Sequence, residues 1–216
     1  MSSMPAVRSV TPGVSVEAIS RPARTFTGDF YFAQRHEDRL WIALGDVAGK
    51  GLPAAIVMAM IQEELEHRIA SCASAECDPS RTAQRLHEFL TPLLPSNRFA
   101  TAVIGWLRDD GTLTLVNAGH PPPMIVRRDG TIDEIASTGP ILGVLPNPRW
   151  CSRTLHLDRG DTLVLYSDGV TEAIVNGEEL GICGLRTLLA QSTTPGSVLQ
   201  SLATNDDVTL VVAQRT

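Results

Sequence analysis

Apolar and polar residues alternate through VSVEAI at 14–19, and a period of two predicts a strand. DFYFAQRH at 29–36 and RLWIALGD at 39–46 read as two more strands, with the polar EDR at 37–39 as the hairpin turn between them. A glycine-rich turn follows, then a helix from Leu52 to about Ala70. Its first half, LPAAIVMAMI, is apolar on every side and is expected deep in the core, whereas its second half, QEELEHR, is expected to emerge into solvent. CASAECDPS reads as a loop and RTAQRLHEFLTPLL as a second helix. Strand patterns then come in series: FATAVIGWL, TLTLVNA, PMIVRR, TIDEI, SRTLHL and TLVLYS, separated by turns such as RDDG, RRDG and DRGD. LRTLLAQ and GSVLQSLA are short helices, and DDVTLVVAQ closes the chain as a strand. Residues 1–12 are polar and irregular and are expected to be a disordered lead-in to a single domain over 13–216. Short strand connections with helices grouped between them predict antiparallel sheets covered by helices, an α+β layered fold, not strict βαβ alternation.

Composition narrows the function classes. A chain of 216 residues with 43% hydrophobic and 19% charged residues is long enough to bury a sizeable core. Its formal charge of −6 argues against a nucleic-acid surface, which needs a basic face. The N-terminus lacks a signal-peptide core and the longest near-apolar run is too short to span a bilayer, so a cytoplasmic protein without membrane contact is expected. Cys72, Cys77, Cys151 and Cys183 lack zinc-site spacing and are expected to be reduced thiols.

GDVAGKG at 45–51 suggests a phosphate-binding loop, but it is one residue short of that motif and has Gly51 where a Ser or Thr should bind magnesium. The acids are the stronger signal. Asp46 ends one apolar strand, Asp29 starts its neighbour, Asp168 ends another, and Asp206 and Asp207 begin the last. Carboxylates beside a core are costly unless paired or bound to a cation, and hard divalent ions prefer oxygen ligands. Each acid alone also fits a turn residue; convergence of the strand ends would make a two-metal site.

GDFY, GDVAGKGLPAA, RFATAVIG, NAGHPPPMIV, GPILGV, LYSDGVTEA and DDVTLVV, in that order, resemble the metal-dependent PPM-type serine/threonine phosphatases of the SpoIIE/RsbU branch, from about Val14 to the C-terminus. The resemblance implies an α-β-β-α sandwich, two packed antiparallel sheets flanked by helices. It implies two Mn²⁺ or Mg²⁺ ions and hydrolysis of phosphoserine or phosphothreonine on a protein. By motif position Asp46 would bridge both ions, Asp29 and the Val47 carbonyl would serve one, and Asp168 and Asp206 the other. Its substrate by the same resemblance is a phosphorylated anti-anti-sigma (STAS-domain) regulator, with a regulatory protein or homodimerisation as control. The helix from Leu52 would be the switch that such partners move. Gly45, Gly49 and Gly51 would let the backbone turn near the ions, Lys50 would either approach the phosphate or stay solvated, and Arg24 is a candidate phosphate reader. In NAGH, His120 is expected to be hydrogen-bonded scaffold, not a general acid.

The chain departs from the branch in three places. Thr27–Gly28 stands for a double glycine, Phe32 for a second acid, and the segment 185–205 is shorter than is usual. With so few residues before the first strand, a stand-alone catalytic domain is expected. The competing reading is a non-catalytic pseudophosphatase that binds a partner in a signalling pathway.

Overall fold

A computed structural model of the protein describes residues 7–11, 13–23, 25–72, 77–95, 98–192, 194–200, 202–204 and 206–216. Arg24 lies outside them. One antiparallel sheet has the order β3 (Asp29–His36), β4 (Arg39–Val47), β5 (Ala100–Arg108), β6 (Thr112–Ala118) and β9 (Arg153–His156). The other has the order β1 (Val7–Thr11), β2 (Val14–Arg21), β13 (Val208–Arg215), β10 (Thr162–Tyr166), β7 (Met124–Val126) and β8 (Ile132–Glu134). β1 falls in the segment expected to be a disordered lead-in and instead pairs with β2, Val10 opposite Ser15. A tight reversal at Gly13, φ +81°, folds it back onto that strand.

Alternation along each strand sorts the core into layers. On β4, Leu40, Ile42 and Leu44 face the second sheet, where they meet Val16 and Ala18 of β2 and Val211 of β13 in one buried cluster. Trp41 and Ala43, one position out of phase, belong to another cluster with Ile61, Leu65 and Ile69 of α1 (Leu52–Ala70) and Leu86 and Leu90 of α2 (Pro79–Leu90). On the far side, Tyr166, Leu210 and Val212 pack against Leu185 and Leu189 of α4 (Gly181–Gln191) and Val198 of α5 (Pro195–Gln200). Helices therefore cover both outer faces of the sandwich, the expected α-β-β-α order. Strands buried on both faces carry near-continuous apolar runs, which is why β4 and β10 lack a clean alternation in the sequence.

Two local expectations are corrected. The first half of α1 is not enclosed: Leu52 and Ile56 are 53% and 52% exposed, and the buried residues of α1 are Ala54, Ile61, Leu65 and Ile69. Only one face of a helix on an outer layer meets the sheet, so the outer apolar positions stay in solvent. Cys72, just after α1, and Cys77, just before α2, form a disulfide with Cα atoms 5.9 Å apart; Cys151 and Cys183 are exposed free thiols. Asp78 caps α2, accepting from Ser80 N–H at 2.8 Å. Two short pieces went unread in the sequence: α3 (Asp168–Thr171) and the hairpin of β11 (Ile174–Val175) and β12 (Glu178–Glu179). No helix among the described residues is long and apolar enough to cross a membrane.

Leu44 is fully buried between the sheets. Leu44→Ala is expected to cost about 2–5 kcal/mol, read from the denaturant midpoint at unchanged m-value.

Candidate functional site

One end of the sandwich carries a cavity of about 210 Å³ lined by Ala23, Phe26, Asp29, Asp46, Gly49, Lys50, Gly51, Asp168, Asp206 and Asp207. The four acids singled out in the sequence thus meet at one site. Sheet pairing brings the first two together, since Asp29 and Asp46 are Cα partners across β3 and β4. Asp168 opens α3 directly after β10, and Asp206 and Asp207 precede β13, the neighbour of β10. Gly169 lets these two ends touch: a Cβ there would stand 2.1 Å from the Asp207 carbonyl oxygen.

Gly28 does similar work at the other wall. A Cβ on it would come within 2.8 Å of Asp46 Oδ1 and 2.9 Å of the Val47 carbonyl oxygen, so a side chain there would crowd both oxygens; Asp46 lines the cavity, whereas Val47 does not. Gly49 and Gly51 have φ of +119° and +81° and supply the expected reversal into α1. Gly45 has a different role from the expected turn. It sits inside β4, where a side chain would collide with the Phe30 ring and the Thr101 carbonyl oxygen.

Two further residues hold the acids, and the sequence reading did not single them out for it. Thr209 Oγ1 donates to Asp29 Oδ2 at 2.6 Å. With its one proton spent there, Thr209 receives the Ser20 hydroxyl at 2.9 Å, so a buried chain of hydroxyls ties β2 and β13 to the carboxylate on β3. Asp207 faces inward as a clamp: its carboxylate accepts from Ala23 N–H at 2.8 Å and from Gly28 N–H at 3.1 Å. The signal available in sequence was DDVT itself, an acid and a hydroxyl two residues apart and therefore on one face of a strand.

The electrostatics are those of negative charge without enough compensation. Burial, then the charge of Asp46, push Asp29 up to about 7 against the opposing hydrogen bond from Thr209. Burial, then Asp168, Asp207 and Asp206, push Asp46 up to about 7. Asp168 is exposed at the rim, yet partial desolvation and then Asp206 raise it too, and its charge is the first cause raising Glu172 outside the cavity. Lys50 Nζ stands 3.0 Å from Asp206 Oδ2, an exposed pair across the mouth, so this lysine meets an acid of the site. His120 is elsewhere. It is buried, bonded to Thr101 Oγ1 at 2.9 Å and to Asn117, and burial pushes it down to about 3, a neutral scaffold residue as expected.

The donor set is all oxygen and strongly anionic, which suits a hard divalent cation. The cage is not closed: among the described residues no three Asp, Glu, His or Cys side chains stand together as ready ligands. Asp29 Oδ2 is held by Thr209, and both oxygens of Asp206 are engaged, Oδ1 by Asp207 N–H at 3.0 Å and Oδ2 by Lys50. Phe32, at the position of the missing acid, is 5% exposed and packs under α1 as a core residue.

Asp46 binds its proton more tightly in the folded state than at its ordinary value of 3.8, so its burial destabilises the ion-free protein increasingly as pH rises from about 4 to about 7. The stability of Asp46→Asn minus that of wild type is therefore expected to grow over that window, measured by urea unfolding in chelator; a difference independent of pH would contradict this assignment.

The sequence model of the family Stage II sporulation protein E (SpoIIE) matches residues 36–216. The phosphoserine phosphatase RsbU of Bacillus subtilis (strain 168) is 28% identical over 216 residues, covering 94% of this chain and 63% of RsbU. The crystal structure of the RsbU and RsbW domains of Rv1364c from Mycobacterium tuberculosis superposes with a TM-score of 0.83 at 27% identity, covering 95% of this chain and 62% of that one. RsbX in complex with magnesium gives a TM-score of 0.77 at 16% identity, covering 98% of this chain and all of RsbX, a likeness of fold. The chain thus spans less than two thirds of the first two relatives.

Proposed function

The chain belongs to the SpoIIE family, and from that premise we propose that it is a Mn²⁺- or Mg²⁺-dependent protein serine/threonine phosphatase. The observation that carries the reading is the convergence of Asp29, Asp46, Asp168 and Asp206 on one cavity, with Asp29 and Asp46 both pushed up to about 7. A carboxylate site that holds protons this tightly is one whose charge calls for a cation.

In this reading Asp46 would hold both ions, Asp29 and the Val47 carbonyl would serve one, and Asp168 and Asp206 would serve the other. Two bound ions would supply an activated water for attack at phosphorus and offset charge on the phosphoryl oxygens. The chain's own residues do the positioning. Thr209 fixes one oxygen of Asp29, Oδ2. Asp207 holds the backbone at Ala23 and Gly28, and Gly28 keeps the space in front of Asp46 and Val47 open. Lys50, paired with Asp206 at the mouth, would stand beside an incoming phosphate.

The substrate class we propose is a phosphoserine or phosphothreonine protein, specifically a phosphorylated anti-anti-sigma regulator of the STAS type, with a regulatory protein or a second copy as control. Support comes from the relatives' names: RsbU is a phosphoserine phosphatase, and one solved relative carries an RsbW domain beside its RsbU domain. A second reading, a non-catalytic binding module, draws on Phe32 in place of an acid and on the open ligand cage.

Hydrolysis of p-nitrophenyl phosphate separates the two. With Mn²⁺ the wild type is expected to turn over, and Asp46→Asn and Asp168→Asn each to lose about 100-fold or more in kcat. Wild type and both variants at one common rate would remove the metal mechanism.

A further inference from the structure

Sheet edges are exposed hydrogen-bonding templates that proteins shorten, charge or cover. Among the described residues, three of the four edge strands of the two packed sheets are short: β9 has four residues, β8 three and β1 five. β3 is the exception. It has eight residues, DFYFAQRH, with no proline or lysine, and it ends its sheet.

Its hydrogen-bonding parity is fixed. Val47 N–H donates to the Gly28 carbonyl opposite it, so Phe30, Phe32, Gln34 and His36 exchange main-chain bonds with β4. Tyr31, Ala33 and Arg35 then aim N–H and C=O away from the sheet. Asp29 N–H, which points the same way, is already taken by Thr27 Oγ1 at 3.0 Å. Beside this edge runs a groove of about 250 Å³, walled by residues 29–34 and by Met58, Gln62 and Glu66 of α1. Those three are four apart and share one helix face, which spans about 12 Å. The strand wall is of similar length, about 17 Å, room for four or five extended residues. Asp29 lines both this groove and the acid cavity, so the groove leads into the site.

We infer that the open edge of β3 takes an extended segment of the phosphoprotein substrate as an added strand, with its phosphorylated residue delivered past Asp29 into the acid cavity. The inference rests on the phosphatase reading for the identity of the occupant. Main-chain bonds to Tyr31, Ala33 and Arg35 supply affinity without a side-chain code, and alternate side chains of the segment fall against Phe32, Met58 and Gln62. Glu66 at the far end favours a basic residue there. Pairing of two copies through this edge is the weaker fit, because each copy carries a charge of −6.

The test uses a fluorescein-labelled peptide of about ten residues, with one non-hydrolysable phosphonate analogue of phosphoserine and two flanking lysines, bound to the full chain with Mn²⁺ and followed by anisotropy. Ala33→Pro removes an N–H that points outward and so spares every bond to β4. It is expected to raise the peptide Kd about tenfold, as is N-methylation of alternate peptide nitrogens against the wild type. The peptide arm stands by itself if Ala33→Pro does not fold. Kd values within about twofold of the parent in both arms overturn the docking while leaving p-nitrophenyl phosphate hydrolysis to judge the phosphatase reading. Peptide binding that is sensitive to N-methylation, without any such hydrolysis, overturns the phosphatase reading and keeps the docking. A wild-type dimer in sedimentation that Ala33→Pro dissociates, with peptide Kd unmoved, assigns the edge to a second copy and overturns the inference.

Discussion

Asp29, buried, and Asp46, half-buried, stand opposite each other across two paired strands, and the cost of taking their charge out of water organises this end of the molecule. Alone it works against folding, and the surrounding structure is arranged to contain it. The hydroxyl chain from Ser20 through Thr209 bonds one of the two acids, and Asp207 pins the incoming backbone. Glycine at 28 and at 169 permits approaches that any side chain would block. The cores on either side of the two sheets hold the strand ends in register. In the function proposed above, a cation would turn this costly arrangement into a favourable one.

The same geometry explains why the site sits at an end of the sandwich. Antiparallel pairing sets Asp29 at the start of β3 beside Asp46 near the end of β4, while Asp168 after β10 and Asp206 before β13 meet them from the other sheet. Four positions spread from 29 to 206 become neighbours because two sheets stack, and the charge of one acid is felt by the next: Asp168 and Asp206 both raise Asp46. The field extends past the cavity to Glu172, and Lys50 at the mouth offsets part of it.

Much of this was legible in the sequence, for physical reasons that differ by element. β2 and the β3–β4 hairpin were readable because their alternation and turn chemistry are local, and α1 because its start after a glycine turn is unmistakable. The layered order followed from short connections and grouped helices. The four acids could be singled out as carboxylates at the ends of apolar strands, although each alone also fitted a turn, and only the packed sheets bring them to one cavity. What failed was everything set by neighbours far along the chain. α1 reads as buried all round because its composition is apolar, but only the sheet decides which face is covered, and Leu52 and Ile56 are left outside. The Cys72–Cys77 disulfide, a pair five residues apart, is the local exception. Thr209 looked like an ordinary strand residue, and Asp207 like one more strand-end acid, until the fold placed Asp29 and Gly28 beside them.

Calorimetric titration of Mn²⁺ at about pH 6.5, in buffers of different ionisation heat, tests the central claim most directly. If the raised Asp29 and Asp46 carboxyls make up an ion site, binding saturates at or below millimolar concentration, releases protons to the buffer and is lost in Asp46→Asn. Absence of saturable binding, or binding without proton release that Asp46→Asn leaves unchanged, would contradict it.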